Sequence, residues 1–304
     1  MQNKVDHLKL YYPKNWKEYE LLDSGDGEKL EKFGRVTTWR PEPQALWSKA
    51  LPVKEWERLA HVRFIQKGSH SGTWKKLKDC PDQWQLTYSA NGLYNLTFNL
   101  SLTAFKHVGI FPEQADNWDF IFNEVSELKK HMQPVKVLNL FAYTGGASLA
   151  AKAAGADVTH VDSVKQVIGW SRQNMESSQL TDIRWVVEDA FKFVQREVRR
   201  GNHYHGVILD PPAYGIGTNG ERWKLDEQIN ALLQEVKQLL APSHFIVLNM
   251  YSLGMSALIT ENLMHSIFGS KTAASEVGEL YLPSSTGQKL PLGILARFKS
   301  GYTL

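Results

Sequence analysis

The chain has 304 residues, 42% hydrophobic and 22% charged, with a formal net charge of +3; that length admits one large domain and a smaller one. A single cysteine, Cys80, excludes an internal disulfide and a cysteine-built zinc site, so no metal is expected, and the mild positive charge permits an anionic partner without amounting to a nucleic-acid arm. Residues 1–10 lack the apolar stretch of a secretory leader and no run of eighteen apolar residues occurs, so a cytoplasmic protein with no membrane partner is expected.

Residues 1–105 hold six of the ten tryptophans, Trp16, Trp39, Trp47, Trp56, Trp74 and Trp84, among short alternating runs at 84–88 and 93–100. Asn91-Gly92 between those runs predicts a hairpin. This part reads as a small β-rich domain that could bind substrate, its tryptophans serving first as core. Residues 107–111 read as extended and 119–132 as a helix closed by Pro134. From 135 onward strands are expected at 135–141, 157–162, 183–188, 204–210 and 244–251. Helices are expected at 146–154, 164–175, 190–200, 225–240 and 256–268, and a terminal antiparallel pair at 276–282 and 290–298. Strands alternating with helices pair in parallel through right-handed crossovers. The expected fold for 106–304 is therefore α/β: a Rossmann-like, seven-stranded sheet with helices on both faces, its ligand site at the strands' carboxyl ends.

The first of these strands runs into Phe141-Ala142-Tyr143-Thr144-Gly145-Gly146. Gly145 and Gly146 remove side chains where the backbone must turn and pass close to a ligand, and the following helix N-terminus offers free N–H groups to an anion. The next strand ends at Asp162, 17 residues past Gly145, where an acid can accept ribose hydroxyls or cap the next helix. The third ends in Glu188-Asp189-Ala190, where an acid and a backbone N–H can meet adenine, or again only cap a helix. The turn lacks the third glycine of a dinucleotide fingerprint, which favours a smaller zwitterion such as a methionine moiety over the pyrophosphate of NAD.

The fourth strand ends in Leu209-Asp210-Pro211-Pro212-Ala213-Tyr214-Gly215. Two prolines freeze this loop and leave its carbonyls as acceptors. Asp210 adds a carboxylate and Tyr214 a stacking face. The set suits an exocyclic amine on a planar ring, aligned with a sulfonium methyl.

Together these motifs resemble the class I S-adenosylmethionine-dependent methyltransferases, and more narrowly the group containing the bacterial large-subunit ribosomal RNA methyltransferases I and K. Gly109-Ile110-Phe111-Pro112-Glu113-Gln114 resembles that group's motif just upstream of the catalytic domain. The resemblance covers roughly 105–300. It implies that S-adenosylmethionine is held by Gln114, Phe141, Thr144, Gly145, Asp162, Asp189 and Ala190. It also implies that Asp210, Pro211 and Tyr214 face the methyl acceptor, with Pro212 beside them. Members that methylate cytosine at C5 need a cysteine nucleophile; residues 249–252 read Asn-Met-Tyr-Ser, so transfer to nitrogen is expected instead, with oxygen as the alternative.

Residues 58–78 hold Arg58, Arg63, Lys67, Lys75, Lys76 and Lys78 with no carboxylate, and His61, His70 and Trp74 among them. Basic groups interleaved with aromatics can grip phosphates and stack bases, so Lys75 and Lys76 are candidate contacts to an RNA, ribosomal RNA above all. A second basic cluster, Lys192, Arg196, Arg199 and Arg200, lies along one helix. Residues 215–222, with three glycines, read as a lid or a long loop. The competing readings are a protein or small-molecule acceptor, an NAD-dependent oxidoreductase, and a noncatalytic RNA-binding module.

Overall fold

The computed structural model describes residues 9–68, 71–217, 220–252, 254–269 and 274–301. Among them the main sheet has eight strands: β1 (Lys9–Tyr11), β2 (Lys136–Leu140), β3 (Asp157–Asp162), β4 (Ile183–Val187), β5 (Tyr204–Leu209), β6 (Leu240–Met250), β7 (Ala274–Pro283) and β8 (Lys289–Ser300). Their spatial order is β4-β3-β2-β5-β6-β8-β7-β1. Neighbours are parallel throughout except around β8, which runs antiparallel to β6 and β7. Six helices follow the same alternation: α1 (Ala115–Lys129), α2 (Gly146–Ala153), α3 (Lys165–Ser177), α4 (Ala190–Arg199), α5 (Leu225–Gln238) and α6 (Ala257–Phe268).

Seven of the eight strands are those expected. The eighth, β1, comes from the N-terminal segment and pairs with β7, Lys9 opposite Gly278. Three residues are too few to display a period of two, so no pattern announced it. Gly278 is where the approach is closest: a Cβ there would sit 2.1 Å from the Lys9 carbonyl oxygen. Residues 107–111 form no strand; Pro112–Gln114 makes a 3-10 turn that leads into α1 four residues earlier than the periodicity suggests.

The sheet is buried on both faces, as parallel sheets are. On β2, Val137 enters one core with Trp118, Ile121 and Leu149, while Leu138 and Leu140 enter the other with Phe193, Leu232 and Ile246. Successive side chains fall on opposite faces because the strand period is two.

The N-terminal part contains a five-stranded sheet, in order Tyr19–Gly25, Glu28–Phe33, Val36–Pro41, Val62–Gln66 and Gly72–Lys76, with the short helix Val53–Leu59 crossing between the third and fourth. That helix was not expected. A hairpin, Gln83–Ser89 with Asn95–Ser101, follows. Its turn is the one Asn91-Gly92 specifies: φ is 49° and 84° at the two residues, and the Leu93 N–H donates to the Ala90 carbonyl at 2.9 Å. Tyr19, Leu21 and Phe33 of the five-stranded sheet and Trp84, Tyr88 and Phe98 of the hairpin share one core with α1 and β2. The hairpin's outer strand is closed by α3: the Asn99 N–H donates to Asn174 Oδ1 (2.8 Å), and Trp170 Nε1 donates to the Asn99 carbonyl (2.6 Å).

Candidate active site

Crossovers from β2 leave toward β3 on one side, while β5 lies on the other, so a cleft opens at the carboxyl ends of β2 and β5. Gln114, Asn117, Asn139, Phe141, Thr144, Gly145, Asp210 and Asn249 line it, with Phe111, Trp118 and Tyr143.

The loop between β2 and α2 is held in an uncommon shape. Phe141 (φ 54°), Tyr143 (φ 47°) and Gly145 (φ 94°) all lie in the left-handed region, which two aromatic residues adopt only when their surroundings over-determine it. Here they do. Asp162 Oδ2 accepts the Tyr143 N–H (3.0 Å), Ser171 Oγ donates to the Tyr143 carbonyl (2.6 Å), and Asn174 Nδ2 donates to the Thr144 carbonyl (3.0 Å). Thr144 Oγ1 donates to the Gly109 carbonyl (2.8 Å). Below the loop, Asn139, Ser148, His160 and Ser171 form a buried chain, with Asn139 Nδ2 donating to Ser148 Oγ at 2.9 Å and Ser148 Oγ 3.0 Å from His160 Nδ1. Burial pushes the His160 imidazole down to about 3, so it works as a neutral hydrogen-bonding spacer.

The two glycines do different jobs. Gly145 supplies the left-handed cap of α2, whose first turn has no side-chain cap and presents its N–H groups to the cleft. Gly146 instead makes room for Trp118: a Cβ there would lie 2.6 Å from the indole ring. Gly109, in the upstream motif, is required in the same way by Trp170, whose ring would be 2.1 Å from a Cβ, and by its φ of 105°.

Asp162 uses Oδ2 for Tyr143 and Oδ1 for the Val164 N–H (2.9 Å), so it is a structural acceptor whose oxygens keep further lone pairs for a ligand. Burial raises its carboxyl. Asp162→Ala is expected to weaken binding of a ribose-bearing cofactor by about 1–3 kcal/mol, measured by calorimetric titration, since hydroxyl contacts and a loop anchor go together. Unchanged affinity would place the ribose elsewhere. Asp189 caps α4, its Oδ1 accepting the Lys192 N–H at 2.9 Å, and Ala190 is buried in the second core. Neither these two nor Asp162 lines the cleft proper; they stand at the neighbouring strand ends.

Asp210 faces Asn249 from the adjacent strand end. Asn249 Nδ2 donates to Asp210 Oδ1 at 3.1 Å, and burial pushes the Asp210 carboxyl up to about 6. Nearby, burial raises Glu113 to about 7, with Asp210 and Glu31 adding to the shift and Lys29 opposing it. Pro211 is buried, whereas Pro212 and Tyr214 are exposed. The Pro212 carbonyl, expected to be free for an amine, accepts the Trp223 indole N–H at 2.7 Å. Residues 214–216 and 222–224 pair as a two-stranded hairpin, and Phe141 packs on Trp223 with centroids 5.0 Å apart. Of the stretch read as a lid or loop, residues 218 and 219 lie outside the described residues.

The N-terminal sheet reaches this end of the cleft with buried charges. Glu31, fully buried, is bound by Arg40 through Nε (2.9 Å) and Nη2, by Tyr19 Oη (2.9 Å) and by Lys29 (3.5 Å). Lys29 also meets Glu42 (3.3 Å), and Glu42 accepts the hydroxyl of Tyr251, two residues beyond Asn249, at 2.7 Å. Of these, Tyr19, Lys29 and Glu31 were not singled out from sequence.

Half of the basic stretch is paired with acids. Arg58 pairs with Glu55 (2.8 Å), Arg63 with Glu28 (3.0 Å) and Lys76 with Asp82 (2.9 Å), while Lys67, Lys75 and Lys78 form no ion pair among the described residues. The acids come from outside 58–78, so the stretch alone could not show them. His70 lies outside the described residues. Along α4, Lys192, Arg196 and Arg200 are paired with Glu221, Glu188 and Glu197. Cys80 is buried in the N-terminal part, which raises its thiol. Cys80→Ser is expected to leave activity within about twofold, because a buried, protonated thiol is a poor nucleophile; complete loss in a methyl-transfer assay would reopen cysteine chemistry. Among the described residues no cluster of three His, Cys, Asp or Glu could hold a metal, and no helix is long and apolar enough to cross a membrane.

The strand order with β8 reversed, the glycine turn after β2 and the acid at the end of β5 define a class I S-adenosylmethionine-dependent methyltransferase. The chain belongs to the family described as conserved hypothetical protein 95, whose pattern matches residues 104–273. It is 37% identical to a solved SAM-dependent methyltransferase from Agrobacterium tumefaciens, with a TM-score of 0.86 over 96% of this chain and 93% of that one. A methyltransferase structure from Streptococcus mutans shares the fold at 18% identity, with a TM-score of 0.71 over 94% of this chain and 76% of that one. Ribosomal RNA large subunit methyltransferase K/L of Syntrophotalea carbinolica is 29% identical over 163 residues, 53% of this chain and 20% of that protein. Ribosomal RNA large subunit methyltransferase I of Salmonella arizonae is 33% identical over 89 residues, 28% of this chain and 22% of that protein. The chain thus matches only about a fifth of the length of these curated relatives.

Proposed function

We propose that this protein transfers a methyl group from S-adenosylmethionine to a base nitrogen of RNA, ribosomal RNA first among the candidates, in the cytoplasm. The observation that carries the reading is Asp210: a partly buried carboxyl at a parallel strand's end, oriented by Asn249 and lining the same cleft as the glycine turn. The large-subunit ribosomal RNA methyltransferases among the relatives support the RNA acceptor.

The residues present fit the cofactor. The uncapped first turn of α2 suits a carboxylate, Asp162 keeps lone pairs for ribose hydroxyls, and the Asp189 carboxylate and Ala190 N–H would serve adenine. Gln114, Phe141, Thr144 and Gly145 form the walls. When bound, S-adenosylmethionine supplies an electrophilic methyl on a sulfonium. Asp210 holds an amine N–H of the acceptor and takes its proton, and Tyr214, 49% exposed, offers its ring to the base. Pro211 and Pro212 keep that loop rigid. The described residues of the N-terminal part form the acceptor side through the Lys29, Glu42 and Tyr251 contacts, and Lys75, without an ion pair among the described residues, would meet phosphate while Lys76 is held by Asp82.

A protein side chain or small molecule as acceptor is the second reading, favoured by the pairing of three of the six basic residues in 58–78. Incubation with tritiated S-adenosylmethionine and an unmodified large-subunit rRNA transcript separates the two. Label in a methylated base supports RNA. Label only in protein or small molecules of a cell extract supports the second reading.

A further inference from the structure

Asn249 is 3% exposed and lines the cleft. Its Nδ2 is bound to Asp210 Oδ1 at 3.1 Å, while its Oδ1 is buried with no hydrogen-bond partner. A buried amide oxygen left unpaired costs about 1–3 kcal/mol, so its presence calls for an explanation. The pair is fixed by the sheet: Leu209 is in register with Leu248 across β5 and β6, so Asp210, just past β5, stands beside Asn249 within β6. On the other flank Gly293, at φ 128°, bears no side chain; a Cβ there would stand 3.5 Å from Asn249 Nδ2. Asp210 is therefore the hydrogen-bonding partner that holds this amide in its present orientation.

We propose that Asn249 is a positioning residue that supports Asp210 in both protonation states, turning its amide over when the carboxylate takes up a proton. An ionised carboxylate only accepts, so it draws the Nδ2 donor toward it. A protonated carboxyl donates, and Oδ1, free in the first state, becomes its acceptor in the second. One orientation leaves Oδ1 unpaired and the other leaves Nδ2 unpaired, so the amide follows the proton instead of favouring one state.

This inference rests on the proposed methyl transfer for its use. The bound cofactor would supply the methyl group, its C–S electron pair staying on sulfur, and an acceptor amine R–NH2 would become R–NH2⁺–CH3. Its proton passes to Asp210, giving R–NH–CH3 and a carboxylic acid that later returns the proton to water. Asp210 must be held in place before and after that transfer, and a fixed donor would serve only the first state. Burial raises the carboxyl to about 6 against the Asn249 hydrogen bond, which in its present orientation lowers it, so both states lie within reach near neutrality. Glu113, from the segment before α1, is the other titratable group coupled to Asp210, and it is itself coupled to Lys29 and Glu31.

The test is an NMR titration of the whole chain from pH 4.5 to 9, without acceptor, so its outcome is independent of whether RNA is the substrate. Aspartate is labelled at 13Cγ and asparagine at the 15N side chain, and signals are assigned with Asp210→Asn and Asn249→Leu. The inference predicts that the Asn249 amide signals move with the same midpoint as Asp210 13Cγ. It predicts further that Asn249→Leu shifts the Asp210 midpoint by less than about half a unit and lowers the melting temperature at both pH 5 and pH 8. An Asn249 amide that does not respond, or an Asp210 that does not titrate, overturns it. So does a midpoint raised by more than one unit in Asn249→Leu with melting altered at pH 8 alone, which marks a fixed donor to the carboxylate. If the leucine variant does not fold, Asn249→Ala takes its place with the same midpoint and melting readings.

Discussion

Replacing Asp210 by alanine is expected to lower turnover in methyl transfer about a hundredfold to ten-thousandfold, the range for loss of a positioned proton acceptor, with affinity for S-adenosylmethionine changing less than about threefold. The carboxyl is partly buried just past β5 and engages Asn249. Removing it leaves the glycine turn and its anchors intact, so binding should survive where chemistry does not. The same residue sets the pH dependence. Burial disfavours the charged form and raises the carboxyl to about 6, so the ionised, working form is lost as the pH falls through that value. Activity should be level above about pH 7.5 and fall below about 6. Glu113, raised to about 7 chiefly by burial, takes only a small contribution from Asp210, so the acid limb is expected to follow a single ionisation. Equal losses in turnover and cofactor affinity would instead make Asp210 structural.

Arg40→Ala is expected to be the most destabilising change in the N-terminal part. Glu31 is fully buried, and Arg40 holds it through two nitrogens while also donating to the Lys106 carbonyl at 3.0 Å. Arg40 opposes the cost of burying that carboxylate and keeps its titration low. Truncating it leaves a charge in the core with Lys29 and Tyr19 as its remaining partners, which costs about 3–5 kcal/mol for a broken buried pair. In a chain this size that is a melting-temperature drop of roughly 5–10 °C, read by thermal denaturation. The double variant Glu31→Gln with Arg40→Met should recover much of the loss, since no buried charge is then left without its partner. A drop below about 2 °C for Arg40→Ala would mean that the network is open to water.

The alternation of strand and helix after residue 135 made most of the sheet legible, because each element there is long enough to show its period. The turn at Asn91-Gly92 was equally plain, since its backbone demands those residue types. What the sequence hid depends on partners distant along the chain. β1 is three residues long and finds β7 nearly 270 residues away. Gly146 reads as a ligand-facing glycine until Trp118 is seen against it. The Pro212 carbonyl reads as free until Trp223 arrives from the hairpin. Asn249 had a usable signal: β5 and β6 are neighbours, and Leu209-Asp210 aligns with Leu248-Asn249, so the residue beside the acid could have been named from the strand ends alone. The Glu31–Arg40 network had none, because buried ion pairs look like solvated charges in a strand sequence.

Calorimetric titration of the purified protein with S-adenosylmethionine, and in parallel with NAD, tests the cofactor assignment on which the whole account stands. Micromolar binding of S-adenosylmethionine without binding of NAD is the predicted result. Binding of NAD, or of neither, would contradict it.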